Sequence, residues 1–317
     1  MANSVVMLIF GRLIVGLAAG LTTSTLPMYM AELSPLQLRG TLAVLSPMGL
    51  TGGVVRVFQA IILELIQLRG SQLELINEEL QSMENEAIVQ SETRSLLSVI
   101  RDRKFLLPLI LVCALLGGQQ LSGLNAVFFY SVSMFERSGL SSTNAKWANL
   151  GTGVINFLVA SFTPYLMATI NRRPLLLFSI FATGTMLIMI TVVTSLIDLA
   201  SWLAYASIAF VFGFIVTLQL GLGPIPYFIG TELFESSSRP AAMSLGSMSL
   251  WAGNFIVAMA FPSLQEAWGA FVFLPFAVIC FCLAVLIKFY LPETRNRDSS
   301  AVAPLVADGF KSRPLNR

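Results

Sequence analysis

Long stretches without a charged residue recur through the carboxy-terminal two-thirds of the chain. Six such windows are each at least as long as the roughly 20 apolar residues that an α-helix needs to cross a bilayer. They run from Phe105 to Phe135, Trp147 to Ile170, Pro174 to Ile197, Leu199 to Thr231, Pro240 to Gln265 and Ala267 to Ile287. The pattern predicts six transmembrane helices, and hence an all-α polytopic membrane protein.

The amino-terminal part of the chain is less regular. Val5 to Met30 reads as a seventh span interrupted by Arg12, a charge that a span tolerates when it is paired or close to an interface. Leu42 to Ile66 contains Arg56 and Glu64, so whether this segment crosses the bilayer is left open.

Two polar segments flank the six windows. Between Gln67 and Lys104, leucines and isoleucines recur at helical spacing among glutamates, which predicts an amphipathic helix at the membrane surface. From Pro292 to Arg317 the chain is rich in Ser, Pro, Arg and Asp without periodicity, and this composition predicts disorder. Basic residues cluster on the side that carries both segments, so the positive-inside rule predicts a cytoplasmic carboxyl terminus.

Composition limits the classes of function that the chain can have. Charged residues make up 11% of the chain and hydrophobic residues 56%, whereas soluble domains have about 25% charged residues. The absence of histidine excludes His-based acid–base catalysis and His metal ligation. No nucleophile with a neighbouring base stands out, so we expect neither an enzyme nor a cofactor. A net charge of +2 gives no indication of a nucleic-acid partner.

An acid-to-base spacing occurs twice, 200 residues apart. Glu32 to Arg39 reads E-L-S-P-L-Q-L-R, and Glu232 to Arg239 reads E-L-F-E-S-S-S-R. A parallel repeat is typical of transporters built from two related halves, where charge pairs across the seam would stabilise one packing of the halves. The alternative is a pair of ordinary interfacial charges.

Neutral polar side chains lie near the middle of several predicted spans. Gln119, Gln120, Ser122 and Asn125 share one window, and three-residue steps place Gln119, Ser122 and Asn125 on one helix face. Buried amides are costly unless they form hydrogen bonds, and they offer both donors and acceptors to a ligand with many hydroxyls. Polar contacts between helices are the alternative explanation.

Other windows contribute amides, aromatic residues and a helix-breaking sequence. Asn156 is a further midspan amide, and Asn254 follows Trp251 by three residues. The sequence G-L-G-P-I-P-Y-F, which ends with Tyr227 and Phe228, is predicted to break a helix and to mark a gating element. For Tyr227 and Trp251, packing or interfacial anchoring is as good an explanation as ligand contact.

These motifs together resemble the sugar porter family of the major facilitator superfamily, and most of all the animal facilitative glucose transporters. The matching pieces are G-R-x3-G-x3-G-x6-P-x-Y-x2-E-x2-P-x3-R-G from Gly11, Q-Q-L-S-G-L-N-A-V-F-F-Y from Gln119, N-R-R-P from Asn171, G-P-I-P-Y-F from Gly223 and P-E-T-R from Pro292. The resemblance implies a major facilitator fold in which a hexose binds near the midplane and passes by alternating access.

The residue pattern and the resemblance together give the candidate residues. The candidate substrate-binding residues are Gln119, Gln120, Asn125, Asn156, Gln219, Tyr227, Trp251 and Asn254, and the candidate cytoplasmic charge network consists of Glu32, Arg39, Arg172, Glu232 and Arg239. No catalytic, metal or cofactor residue is implied.

The chain departs from the family pattern at several positions. Pro47 stands where the family has a sugar-binding glutamine, Gln219 replaces a glutamate, and Phe129 replaces a tyrosine. Tyr227 replaces a tryptophan, and Ala168 replaces an acidic partner of Arg172. Counterparts of the family's first three spans and its sixth span are missing. The expected division is a remnant of the amino-terminal half (1–66), a cytoplasmic helical linker (67–104), a complete six-helix half (105–291) and a cytoplasmic tail (292–317).

Three functional hypotheses follow. The first is facilitative transport of a hexose such as glucose across the plasma membrane, with the sugar and the lipid bilayer as partners. The second is a truncated isoform that does not transport but binds sugar or regulates, alone or in an oligomer with itself or with full-length relatives. The third is proton-coupled sugar symport, which the absence of carboxylates from the six windows disfavours.

Overall fold

The computed structural model describes residues 94–137, 139, 141–200, 202–295 and 297–312, together with Gly16 and Gly20. The predictions for Glu32, Arg39 and Pro47, and most of the predicted amphipathic helix, lie outside these residues. Ten α-helices are described: α1 Leu96–Arg101, α2 Arg103–Leu121, α3 Leu124–Arg137, α4 Ser142–Thr169, α5 Arg172–Ser195, α6 Leu203–Leu220, α7 Ile225–Leu233, α8 Arg239–Trp268, α9 Leu274–Tyr290 and α10 Ser299–Val306. Short 3₁₀ turns occur at Ile197–Leu199, Gly269–Phe273 and Gly309–Lys311.

Five helical stretches of the described chain are long and apolar enough to cross a membrane. They are Arg103–Phe128, Ser142–Thr169, Arg172–Ser195, Leu203–Leu233 and Arg239–Tyr290. The last has 52 residues and includes α8, a 3₁₀ turn and α9. At 1.5 Å per residue its length is more than twice the ~30 Å thickness of the hydrocarbon core, so it provides two passes. All six predicted windows therefore coincide with helical segments, and the predicted all-α membrane fold is confirmed.

Two windows contain a break within the helix. The break between α6 and α7 falls at Gly221–Pro224, where the Gly and Pro pattern predicted it. The break between α2 and α3 falls at Ser122 and Gly123, and Gly123 has a φ of +86°. That backbone conformation is readily available to glycine alone, because a Cβ would be strained there.

Glycines allow α2 and α8 to approach closely. A Cβ built on Gly253 would lie 3.0 Å from the carbonyl oxygen of Gly117, and one built on Gly246 would lie 2.7 Å from Val112. Ser249 of α8 adds a hydrogen bond of 2.9 Å to the carbonyl oxygen of Cys113. Small residues at a helix interface are typical of membrane bundles, where close backbone packing replaces the hydrophobic effect.

Large apolar side chains also cover the outside of the bundle. Phe157, Phe178, Phe181, Tyr205 and Phe255 are each more than half exposed. Such a surface is unfavourable in water but matches the acyl chains of a bilayer.

The tail differs from its prediction, because residues Ser299–Val306 form α10. The Asp298 carboxylate caps this helix by accepting the backbone N–H of Ser299 at 2.8 Å. Val302 and Val306 are buried on α10, which packs against α7 and α2. The disorder prediction is thus wrong for this part of the tail, because composition alone did not reveal two valines at helical spacing.

Candidate substrate site and cytoplasmic charge cluster

The paired glutamines at the end of α2 are buried inside the bundle. Gln119 is 1% exposed and Gln120 is 4% exposed. The Gln120 side-chain oxygen accepts a hydrogen bond of 2.5 Å from the amide nitrogen of Asn125 on α3. This bond bridges the break at Gly123, so two of the predicted substrate-binding amides contact each other directly.

The expectation that Gln119, Ser122 and Asn125 share one helix face is wrong. Regular helix ends at Leu121, Gly123 adopts a positive φ, and helix begins again at Leu124, so regular three-residue steps do not connect these residues. Ser122 donates its hydroxyl to the carbonyl oxygen of Gln119 at 2.6 Å and therefore supports the end of α2.

Gln119 connects α2 to the other helix break. Its amide nitrogen donates a hydrogen bond of 2.7 Å to the carbonyl oxygen of Gly223. Its side-chain oxygen has no partner among the described residues. A buried amide with an unsatisfied oxygen retains one strong acceptor for a ligand donor.

A second amide pair joins α4 to α6. The amide nitrogen of Gln219 donates to the side-chain oxygen of Asn156, and both residues are half-buried. The backbone oxygen of Gln219 also lies 3.4 Å from the hydroxyl of Thr163 on α4. The structure thus brings together two predicted residues that are 63 positions apart in the chain.

The predicted aromatic residues lie on α7 and α8. Tyr227 follows the Gly221–Pro224 break and is half-buried against the core. Trp251 is 37% exposed, and Asn254 is half-buried. Gly253 lies between them, and a Cβ on it would be 3.2 Å from Gln120, so this turn of α8 lies at the same level as the α2 amides. Neither Trp251 nor Asn254 forms a side-chain hydrogen bond within the described part of the chain.

At the other end of α7, Arg172 and Glu232 form a buried ion pair. A guanidinium nitrogen of Arg172 lies 3.6 Å from a carboxylate oxygen of Glu232, and each side chain is 6% exposed. Arg172 also donates to the backbone oxygen of Met167 at 2.9 Å. Arg239, the first residue of α8, is buried as well. Three members of the predicted charge network are therefore described, while Glu32 and Arg39 lie outside the described residues.

The P-E-T-R segment after α9 supplies residues that the sequence reasoning did not assign. The Glu293 carboxylate accepts the backbone N–H groups of Arg172 at 2.9 Å and Arg173 at 3.1 Å, and so caps the amino terminus of α5. The Thr294 hydroxyl donates to the Glu232 carboxylate. Arg295 donates to the backbone oxygen of Thr169 at 2.6 Å and to that of Ala168, at the end of α4. The sequence feature that could have indicated these contacts is the run of three consecutive polar residues directly after a predicted span.

These contacts leave α7 attached at both ends. Its amino-terminal side follows the break that Gln119 contacts, and its carboxy-terminal side carries Glu232 within the charge cluster. A nine-residue helix is thus held by polar contacts at each of its ends. The described residues contain no group of His, Cys, Asp or Glu side chains suited to a metal ion.

Comparison with solved structures identifies the fold as that of the major facilitator superfamily. The proton:xylose symporter XylE bound to 6-bromo-6-deoxy-D-glucose has a TM-score of 0.67 at 18% identity, covering 88% of this chain and 70% of that chain. A partially occluded inward-open conformation of XylE from E. coli has a TM-score of 0.58 at 16% identity, covering 84% and 67%. The bundle thus shares the fold of these two structures.

Sequence comparison then identifies the family. The family model "Sugar (and other) transporter" matches residues 1–67 and 63–305. Facilitated glucose transporter member 1 of solute carrier family 2 from Gallus gallus is 32% identical over 354 residues, covering 96% of this chain and 71% of the relative. Member 5 from Equus caballus is 32% identical over 346 residues, covering 93% and 69%. The chain belongs to the sugar (and other) transporter family.

Proposed function

We propose that this chain carries a hexose such as glucose down its concentration gradient across the plasma membrane, by alternating access and with its carboxyl terminus in the cytoplasm. The observation that carries the proposal is the set of neutral amides buried beside a broken helix. Gln119, Gln120, Asn125, Asn156 and Gln219 supply uncharged donors and acceptors, which suit sugar hydroxyls. The curated relatives are named facilitated glucose transporters, which supports the same substrate class.

Uniport is favoured over proton symport. Among the described residues, the carboxylate buried in the bundle is that of Glu232, and it is paired with Arg172. At the substrate level the polar residue beside Asn156 is Gln219, whose amide does not titrate. A proton carrier in a membrane protein is usually an unpaired intramembrane acid.

Two observations favour the alternative of a non-transporting, sugar-binding or regulatory protein. The alignment with the Gallus gallus relative spans 354 residues, although this chain has 317, so that relative has residues inside the matched region without counterparts here. The family model is matched in two pieces that meet at residues 63–67. Both observations support the proposal that part of the amino-terminal half, including a sixth span, is missing.

Uptake of radiolabelled glucose and fructose into liposomes containing the purified chain tests the proposal. We expect uptake above that of empty liposomes, no stimulation by an inward proton gradient, and loss of uptake in the Gln120→Ala variant. Sugar binding measured by calorimetry without uptake would support the non-transporting alternative. Uptake that requires the proton gradient would support symport.

A further inference from the structure

The break between α6 and α7 leaves backbone groups without their regular helical partners. In a continuous helix, the N–H of Leu222 would donate to the carbonyl oxygen of Leu218. Here that oxygen instead accepts from the N–H of Gly223 at 2.7 Å. Thr217 lies in the last turn of α6, where carbonyl oxygens lack intrahelical donors.

A hydroxyl from a different helix satisfies both groups. Ser179 of α5 accepts the N–H of Leu222 at 2.9 Å and donates its hydroxyl to the carbonyl oxygen of Thr217 at 2.6 Å. These two hydrogen bonds connect the backbone on either side of the point where α6 ends. They run from the Leu222 N–H to the Ser179 hydroxyl, and from that hydroxyl to the Thr217 carbonyl oxygen.

The two hydrogen bonds of Ser179 lie where solvent does not reach them. Ser179 and Leu222 are both 0% exposed. In a bilayer, water is not available to replace a lost backbone partner at this depth. Gly221 also presses on α5, since a Cβ built on it would lie 2.9 Å from the Ser179 Cβ and 3.0 Å from the Leu175 carbonyl oxygen. The hydroxyl and the glycine together hold the break against α5.

We propose that Ser179 is a positioning residue for transport: its hydroxyl fixes the direction in which α7 leaves α6. Because α7 carries Tyr227 and Glu232, this contact positions one candidate aromatic residue and one member of the charge cluster. The inference rests on the proposed function, since α7 acts as a gate only if the chain transports sugar.

Ser179→Ala removes the hydroxyl, and Thr191→Val is the matched control. Thr191 lies on the same helix and is 3% exposed, but its hydroxyl donates to Leu187 of its own helix at 2.9 Å. In hydrogen-exchange mass spectrometry of the full chain in nanodiscs, we expect peptides covering residues 217–227 to exchange about tenfold faster in Ser179→Ala than in the control. Ser179→Cys keeps a weak donor and acceptor, so its rate should be intermediate.

The transport readout separates positioning from direct sugar contact. In liposomes, we expect Ser179→Ala to lower the maximal uptake rate roughly tenfold while the Kd for sugar changes less than about twofold. Exchange in Ser179→Ala equal to that in Thr191→Val, or the same loss of uptake in both variants, would overturn the inference. If the unsubstituted chain carries no sugar, the proposed function fails, and the exchange measurement still decides whether Ser179 holds the break.

Discussion

The two helix breaks of the described half differ in how they are stabilised. At the α2–α3 break, Gly123 provides the backbone conformation, and Gln120 and Asn125, on either side of it, bond to each other. At the α6–α7 break, the Gly223 N–H bonds to the Leu218 carbonyl oxygen within the segment, and the side-chain bonds come from outside, from Ser179 on α5 and Gln119 on α2. The first break is therefore largely self-contained, whereas the second depends on neighbouring helices and responds when those helices move.

The largest loss of unfolding free energy is expected for a substitution in the ion pair at the carboxy-terminal end of α7. Arg172→Ala would remove the guanidinium that lies 3.6 Å from the buried Glu232 carboxylate, which we expect to cost about 3–5 kcal/mol of unfolding free energy. Thermal unfolding in detergent would measure the loss. Arg101→Ala, at an exposed position on α1, is the control and should change stability by less than about 0.5 kcal/mol. Similar losses in the two variants would show that the buried pair does not secure α7.

An intermediate loss of stability is expected for a substitution at the α2–α3 break. Gly123→Ala would place a Cβ at a φ of +86° and 3.0 Å from the Phe276 ring, so both strain and crowding apply. Gly139→Ala is the matched control, since Gly139 has a φ of +90° but no atom of the described residues within 4 Å of the added Cβ. We expect losses of about 2–3 kcal/mol and about 1 kcal/mol respectively, by thermal unfolding. Equal losses would mean that Phe276 does not restrict this break.

The smallest losses of stability are expected when either of the two amide contacts is removed. Gln119→Leu leaves the Gly223 carbonyl oxygen without its side-chain donor, at a cost of about 1–3 kcal/mol. Asn125→Leu removes a bond whose donor residue is half-buried, so we expect a smaller cost of about 1 kcal/mol or less. Chemical denaturation of the two variants side by side gives the order. A larger loss for Asn125→Leu would contradict the view that the α6–α7 break depends more on its neighbours.

Sequence reasoning predicted one break and missed the other for a physical reason. Gly221, Gly223, Pro224 and Pro226 disfavour a helix locally, so their effect is visible without a structure. Gly123 is a single glycine, which a membrane helix tolerates, and nothing in the local sequence indicates its φ of +86°. The break at Gly123 could therefore not be distinguished from a continuous helix.

The candidate substrate site was likewise predicted only in part from the sequence. The burial of Gln119 and Gln120 and their need for hydrogen-bond partners followed from their place within an apolar window. The partners themselves did not follow, because Gln219 and Asn156 meet only when α4 packs on α6. The capping of α5 by Glu293 was missed likewise, since that contact joins residues 121 positions apart.

The close contact of α2 with α8 has a mechanical consequence. Where Gly253 meets the Gly117 backbone, a Cβ on Gly253 would lie 3.0 Å from the Gly117 carbonyl oxygen, so the two helices approach each other through their backbones. The two helices therefore form one stiff body that carries Gln120 on one side and Trp251 and Asn254 on the other. This body gives the candidate binding residues a common frame, in contrast to α7, the short segment that hydrogen bonds and an ion pair hold in place.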